Sequence, residues 1–139
     1  MKTLMICLIT GSSLLFGCEN TANRAFDMDK SAVESRSFQS RTYEGTDKMS
    51  TLRSVVATLQ DLGFVVEKAD ADFGVISATK LSGYHIRLTI TVRDQGDGHV
   101  LVRTNAHHGK RSIDDPEPYR DFYTALDKSQ FLLTHKVDY

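Results

Sequence analysis

Apolar positions along the chain change their period at Gly63. Before it, Met49, Leu52, Val55, Val56, Leu59 and Leu62 recur at steps of three, three, one, three and three, a single stripe at the α-helical period. Thr46 or Asp47 stands where an N-cap belongs, and Gly63 stands where a left-handed C-cap belongs. The stripe predicts a helix with one side in a core. After Gly63 the period becomes two, which predicts strands over 64–69, 75–81, 85–93 and 99–105. Asp70 to Gly74 reads as a turn, and Asp97-Gly98 is a hairpin signal. In the third of these strands Ile86, Leu88, Ile90 and Val92 face one side, and His85, Arg87, Thr89, Thr91 and Arg93 the other. Connections this short require antiparallel pairing.

Two flanking segments complete the domain. Residues 38–43 read as a first strand that Glu44-Gly45 ends, and 106–115 as a polar loop. A second helix starts near Pro116-Glu117, using the tolerance of proline in a first helical turn. It presents Tyr119, Phe122, Tyr123, Leu126, Gln130 and Leu133 to the core. The expected class is α+β: an antiparallel sheet of about five strands packed with two helices, in the order β-α-β-β-β-β-α. A domain of about 100 residues buries somewhat over 60% of its unfolded surface, enough for an independent fold.

Upstream, the pattern describes an address. Lys2 supplies a positive start, and an apolar stretch from Leu4 to Phe16 is broken by Thr10-Gly11-Ser12-Ser13. It falls short of the roughly 20 apolar residues that span a membrane, and its order is that of a secretory signal peptide. Leu15-Phe16-Gly17-Cys18 resembles the bacterial lipobox. That resemblance implies cleavage before Cys18, lipid on Cys18, and three acyl chains that make the anchor effectively permanent. It also implies that Glu19, where an aspartate in enteric bacteria favours the inner membrane, directs the protein to the outer membrane, with the domain facing the periplasm. The expected organisation is a signal peptide over 1–17, the lipidated cysteine and a flexible tether over 18–36, and one domain over 37–139. The tether reading rests on small, polar and charged residues without a sustained period.

Composition narrows the function. There are 17 Lys+Arg against 18 Asp+Glu, and removing Lys2 with the signal leaves 16 against 18. A nucleic-acid partner, which requires a basic excess, is not expected. Of two cysteines, Cys7 leaves with the signal and Cys18 carries lipid. The mature domain is then held by its core alone, without a disulfide.

The run Leu62-Gly63-Phe64-Val65-Val66-Glu67, the turn from Asp70 to Gly74 and Val75-Ile76-Ser77-Ala78 follow the predicted helix. In that order they are similar to the repeated domain of the BamC family, lipoproteins of the outer-membrane β-barrel assembly machinery. The resemblance implies a helix-grip form, a long helix held against a curved antiparallel sheet. Leu59-Gln60-Asp61-Leu62-Gly63-Phe64 and the segment 119–131 also look like small proteobacterial lipoproteins of unassigned function. That likeness implies location and fold, not chemistry.

Candidate chemistry is sparse. His107-His108 sit next to each other, so on an extended segment they point in opposite directions. His99, Asp114 and Asp115 add no HExxH or CxxC spacing. Asp70-x-Asp72 and Asp94-x-x-Asp97-Gly98 lack the calcium-loop ligand series and read as turns. Ser54, Ser77, Ser82, Ser112 and Ser129 lie in no nucleophile-elbow pattern, and no Gly-rich phosphate loop occurs. Neither a cofactor, a metal site nor enzymatic activity is expected. The remaining candidate is the polar side of the long hairpin, where His85, Arg87 and Arg93, with Arg103 across the turn on that side or near it depending on register, form either a solvated sheet face or a partner-binding surface. The partner could be an acidic protein patch, lipid head groups or peptidoglycan. The expected function is a lipid-anchored binding or scaffolding protein, tethered to the membrane and probing for another envelope protein. The alternative is a small-ligand or metal-binding envelope sensor using the space between helix and sheet.

Overall fold

The computed structural model describes residues 33–81, 83 and 85–135. Within them, residues 33–39 are helical (α1), and β1 spans Ser40–Glu44, α2 Lys48–Asp61, β2 Val65–Asp70 and β3 Val75–Lys80. β4 spans Ile86–Gly96, β5 His99–His108, β6 Arg111–Ser112 and α3 Glu117–Thr134. The class is α+β, with an antiparallel sheet in the order β1-β5-β4-β3-β2 and β6 paired to β5.

Local hydrogen bonds fix both ends of α2. The Asp47 carboxylate accepts from the Ser50 hydroxyl at 2.7 Å and from its backbone N–H at 2.9 Å. These two bonds hold the Asp47 carboxyl below the usual carboxylate range. At the other end Gly63, at φ +78°, lets its N–H reach Gln60 O at 2.9 Å while the Phe64 N–H reaches Leu59 O at 2.8 Å. That pair of bonds is a Schellman motif.

The period-two residues make the floor of the core. Ile76 and Ala78 on β3, Leu88, Ile90 and Val92 on β4, and Val100, Val102 and Ala106 on β5 are buried. Leu52, Val55 and Leu59 of α2 and Tyr119, Phe122, Tyr123 and Leu126 of α3 close over them. α2 packs on β2, β4 and α3, and α3 packs on β5. Both helices therefore share one face of the sheet. α2 also buries Thr51, Ser54 and Thr58, a quarter turn from its leucines. These small polar residues point away from Val56 and Gln60, which border β2, and so lie on the side of α3.

Two tyrosines of α3 tie the start of the domain to its sheet. The Tyr119 hydroxyl donates to Ile113 O at 2.7 Å and accepts from the Ala106 N–H at 3.1 Å and Gln39 Nε2 at 3.3 Å. The Tyr123 hydroxyl lies 2.7 Å from Gln39 O and 3.0 Å from Val102 O, and burial pushes its pKa up to about 12. From β1, Arg41 and the Tyr43 hydroxyl both donate to the Asp127 carboxylate of α3.

Several expected boundaries shift. The first strand begins at Ser40 rather than Phe38, because Phe38 lies in the last turn of α1, where its ring packs 5.1 Å from that of Tyr119. Residues 33–36, expected in the tether, are helical; the rest of the tether, Cys18 and the signal peptide lie outside the described residues. The predicted loop over 106–115 is partly strand: β5 continues to His108, where β6 pairs with it. Two residues expected in the core are exposed, Met49 at 45% and Leu133 at 52%. Met49 lies in the first turn of α2 and Leu133 in the last turn of α3, where each helix runs past the hydrophobic layer.

Candidate partner-binding face

Because the helices share one side, the other side of the sheet is left without a covering layer among the described residues. Alternation then decides what it shows. On β4 the residues opposite the core are Arg87, Thr89, Thr91 and Arg93. On β5 they are His99, Leu101, Arg103, Asn105 and His107, and on β1 Ser40, Thr42 and Glu44. Arg87, Arg93 and Arg103 are all exposed.

The ladder does not gather the expected residues into one cluster. Arg93 faces Leu101 and Arg103 faces Thr91, so Arg93 and Arg103 are diagonal neighbours about 7–8 Å apart at Cα. Arg87 stands six residues from Arg93 along β4, about 20 Å away. His85 precedes β4 and is exposed, outside the ladder.

Each arginine has a different setting. Arg87 Nε lies 3.5 Å from Thr79 Oγ1 and 3.6 Å from the Glu67 carboxylate, while the Thr79 hydroxyl donates to Glu67 at 2.8 Å. Arg103 Nε donates to Ser40 Oγ at 3.2 Å. Arg93 makes no ion pair or side-chain hydrogen bond among the described residues. The Arg93–Arg103 diagonal thus carries two guanidinium groups without a carboxylate, flanked by the hydroxyls of Ser40, Thr42 and Thr91. Its chemistry is that of an anion-accepting surface, since each guanidinium offers a planar fork of donors to carboxylate or phosphate. Glu67 and Ser40 were missed as partners from sequence, since both depend on strand register. The odd-numbered parity of β5 does give Arg103 its face.

A cavity of about 340 Å³ opens between α2 and β2, lined by Leu52, Val56, Ala57, Ala69 and Ile76 with Arg53, Gln60 and Asp70 among its polar neighbours. Elsewhere, His107 and His108 occupy successive positions of β5 and so point to opposite sides. His107 pairs across the sheet with Arg87 and Ser112. Among the described residues, no three of His, Cys, Asp and Glu come together as a metal-holding group. No helix among them is long and apolar enough to cross a membrane.

Comparison with known proteins adds no assignment: no protein-family model matches the chain, and no curated protein matches it.

Proposed function

We propose that this protein is a lipid-anchored, non-catalytic binding lipoprotein of the bacterial outer membrane. Its domain faces the periplasm and engages another envelope protein through the open side of the sheet. The observation that carries this reading is a sheet face that no other element covers among the described residues, with Arg87, Arg93 and Arg103 exposed on it. Arginine is favoured in protein interfaces, and a flat sheet presents its side chains on a rigid frame. The partner surface that complements the Arg93–Arg103 diagonal is acidic.

The mechanism is tethering. Lipid on Cys18 holds the domain within reach of the membrane, because the 14 residues between Cys18 and Val33 extend to about 50 Å at most. Confinement to that layer raises the effective concentration of the face toward membrane-bound partners without any new contact.

Two experiments test the reading. A photo-crosslinking residue placed at Arg93 or Arg103 in cells is expected to capture an envelope protein. Capture of none from any position of this face overturns the scaffold. Radiolabelled fatty acid is expected to mark the wild type and not Cys18→Ser, and label retained by the variant overturns the anchor. A second reading, the small-ligand or metal-binding sensor, has the cavity beside α2 on its side. Its mainly apolar lining suits an apolar body better than a charged one.

A further inference from the structure

The edge strand β2 is incomplete in two ways. It pairs with β3 on one side, and no strand among the described residues pairs with its other side. The cavity between α2 and β2 lies directly beside that free edge. A strand added to β2 would send its inward side chains toward this space. An edge left open in this manner is a template for another chain.

The sequence of β2 indicates which chain. Its residues are Val65-Val66-Glu67-Lys68-Ala69-Asp70. Pairing with β3 places Val66 opposite Ala78 and Ala69 opposite Ile76, both buried partners, so Val66 and Ala69 face the helices. Val65, Lys68 and Asp70 face the open side, opposite Thr79, Ser77 and Val75. Glu67, the extra residue of the bulge between Val66 and Lys68, also faces the open side, since its carboxylate reaches Thr79 and Arg87.

Now place a second copy antiparallel to β2 across a two-fold axis between residues 67 and 68. Glu67 meets Lys68 of the second copy, and Lys68 meets Glu67. Val66 meets Ala69 on the helix side, twice. Val65 meets Asp70 on the open side, twice. Every pair joins residues of the same face, which a register one residue away would not do. The two central pairs are of opposite charge. Ala69, which borders the cavity, is small, so the opposing Val66 enters beside it and fills space left under the flank of α2. The bulge, which distorts an edge and commonly protects it from pairing, here brings Glu67 and Lys68 to one face.

We infer that the protein self-associates through β2 as a two-fold dimer with one continuous sheet, its register set by reciprocal Glu67–Lys68 pairs. The isologous contact closes on itself and leaves the Arg93–Arg103 diagonal free on each subunit. The dimer stands independently of the proposed envelope partner, and the loss of either leaves the other intact.

Charge exchange tests the register. The full-length chain, purified from membranes in detergent, is studied by sedimentation, and its fold is checked by circular dichroism. The wild type is expected to dimerise reversibly, while Glu67→Lys and Lys68→Glu each weaken the dimer at least tenfold. The double variant, with both charges exchanged, is expected to regain it. Glu67→Lys also removes the intrachain contact with Arg87, but the double variant carries the same loss, so recovery there reports the pairing between copies. Lys68→Glu leaves that contact untouched and serves where Glu67→Lys fails to fold. In wild-type membranes, carbodiimide coupling of carboxylate to amine is expected to give a covalent dimer linked from Glu67 to Lys68. A wild type that stays monomeric overturns the inference. So does a dimer that persists in the single variants, or one that the double variant fails to restore.

Discussion

At the scale of single residues, the interior contains groups that a pattern of apolar positions does not anticipate. The hydroxyl of Thr58 is buried on α2 and has no hydrogen-bond partner among the described residues. Leaving such a group unpaired costs about 1–3 kcal/mol, whereas an apolar group of the same shape carries no such cost. Thr58→Val is therefore expected to stabilise the domain by about 1 kcal/mol, read from the urea midpoint at unchanged slope. Tyr123 behaves differently, because its hydroxyl lies between two carbonyls and burial pushes its pKa up from 10.0 to about 12. The folded state then holds a proton that the unfolded chain releases. The stabilisation is fully present below pH 10 and is lost as pH rises through about 12. Tyr123→Phe is expected to flatten this alkaline decline while lowering stability at neutral pH by about 1–2 kcal/mol. Urea midpoints measured across that window would show both effects.

At the scale of elements, the turns separate glycines that serve only the backbone angle from those that also serve packing. Gly45 has φ +68° and open space where a Cβ would stand. Gly74 has φ +65°, and a Cβ there would stand 2.2 Å from Val92 O. The close approach is built in, since the Val92 N–H donates to Gly74 O at 2.7 Å. Gly45→Ala is expected to cost about 1–2 kcal/mol, the left-handed penalty alone. Gly74→Ala is expected to cost about 3 kcal/mol or more, because β2–β3 must also move away from β4. Thermal midpoints of the two variants test the difference. Sequence reading recovered α2 almost to the residue, because stripe, cap and C-terminal glycine all lie within 17 positions of chain. The first strand begins two residues later than its apolar pattern suggests, because its start is set by pairing with β5, far along the chain. β6 is only two residues long, too short to show a period, although its partners His107 and His108 lie just across a tight turn.

At the scale of the molecule, the decisive fact is that two helices share one side of the sheet. Leu126 closes the core between α3 and the strands and is fully buried. Leu126→Ala is expected to cost about 2–5 kcal/mol, a large share of the 5–15 kcal/mol typical of a whole domain. Arg93→Ala, on the open side, is expected to change stability by less than about 0.5 kcal/mol. Denaturant titration of both variants distinguishes the covered face from the open one. If Arg93→Ala proved as costly as Leu126→Ala, the face would be structural and not available to a partner.

The sequence by itself determined the α+β class, the antiparallel pairing, the α2 boundaries and the alternation that places Arg87 and Arg93 on one side, while the register of β5 added Arg103 to them. Each of these follows from a period of 3.6 or 2, or from a cap or turn residue acting within a few positions. Tertiary structure decided which side of the sheet the helices cover, which arginines lie together and which edge stays open. Those outcomes depend on register and packing between segments tens of residues apart, such as Arg87 with Glu67 or Tyr123 with Gln39. A local pattern says which way a side chain points along its strand, but what it meets there is decided by another part of the chain.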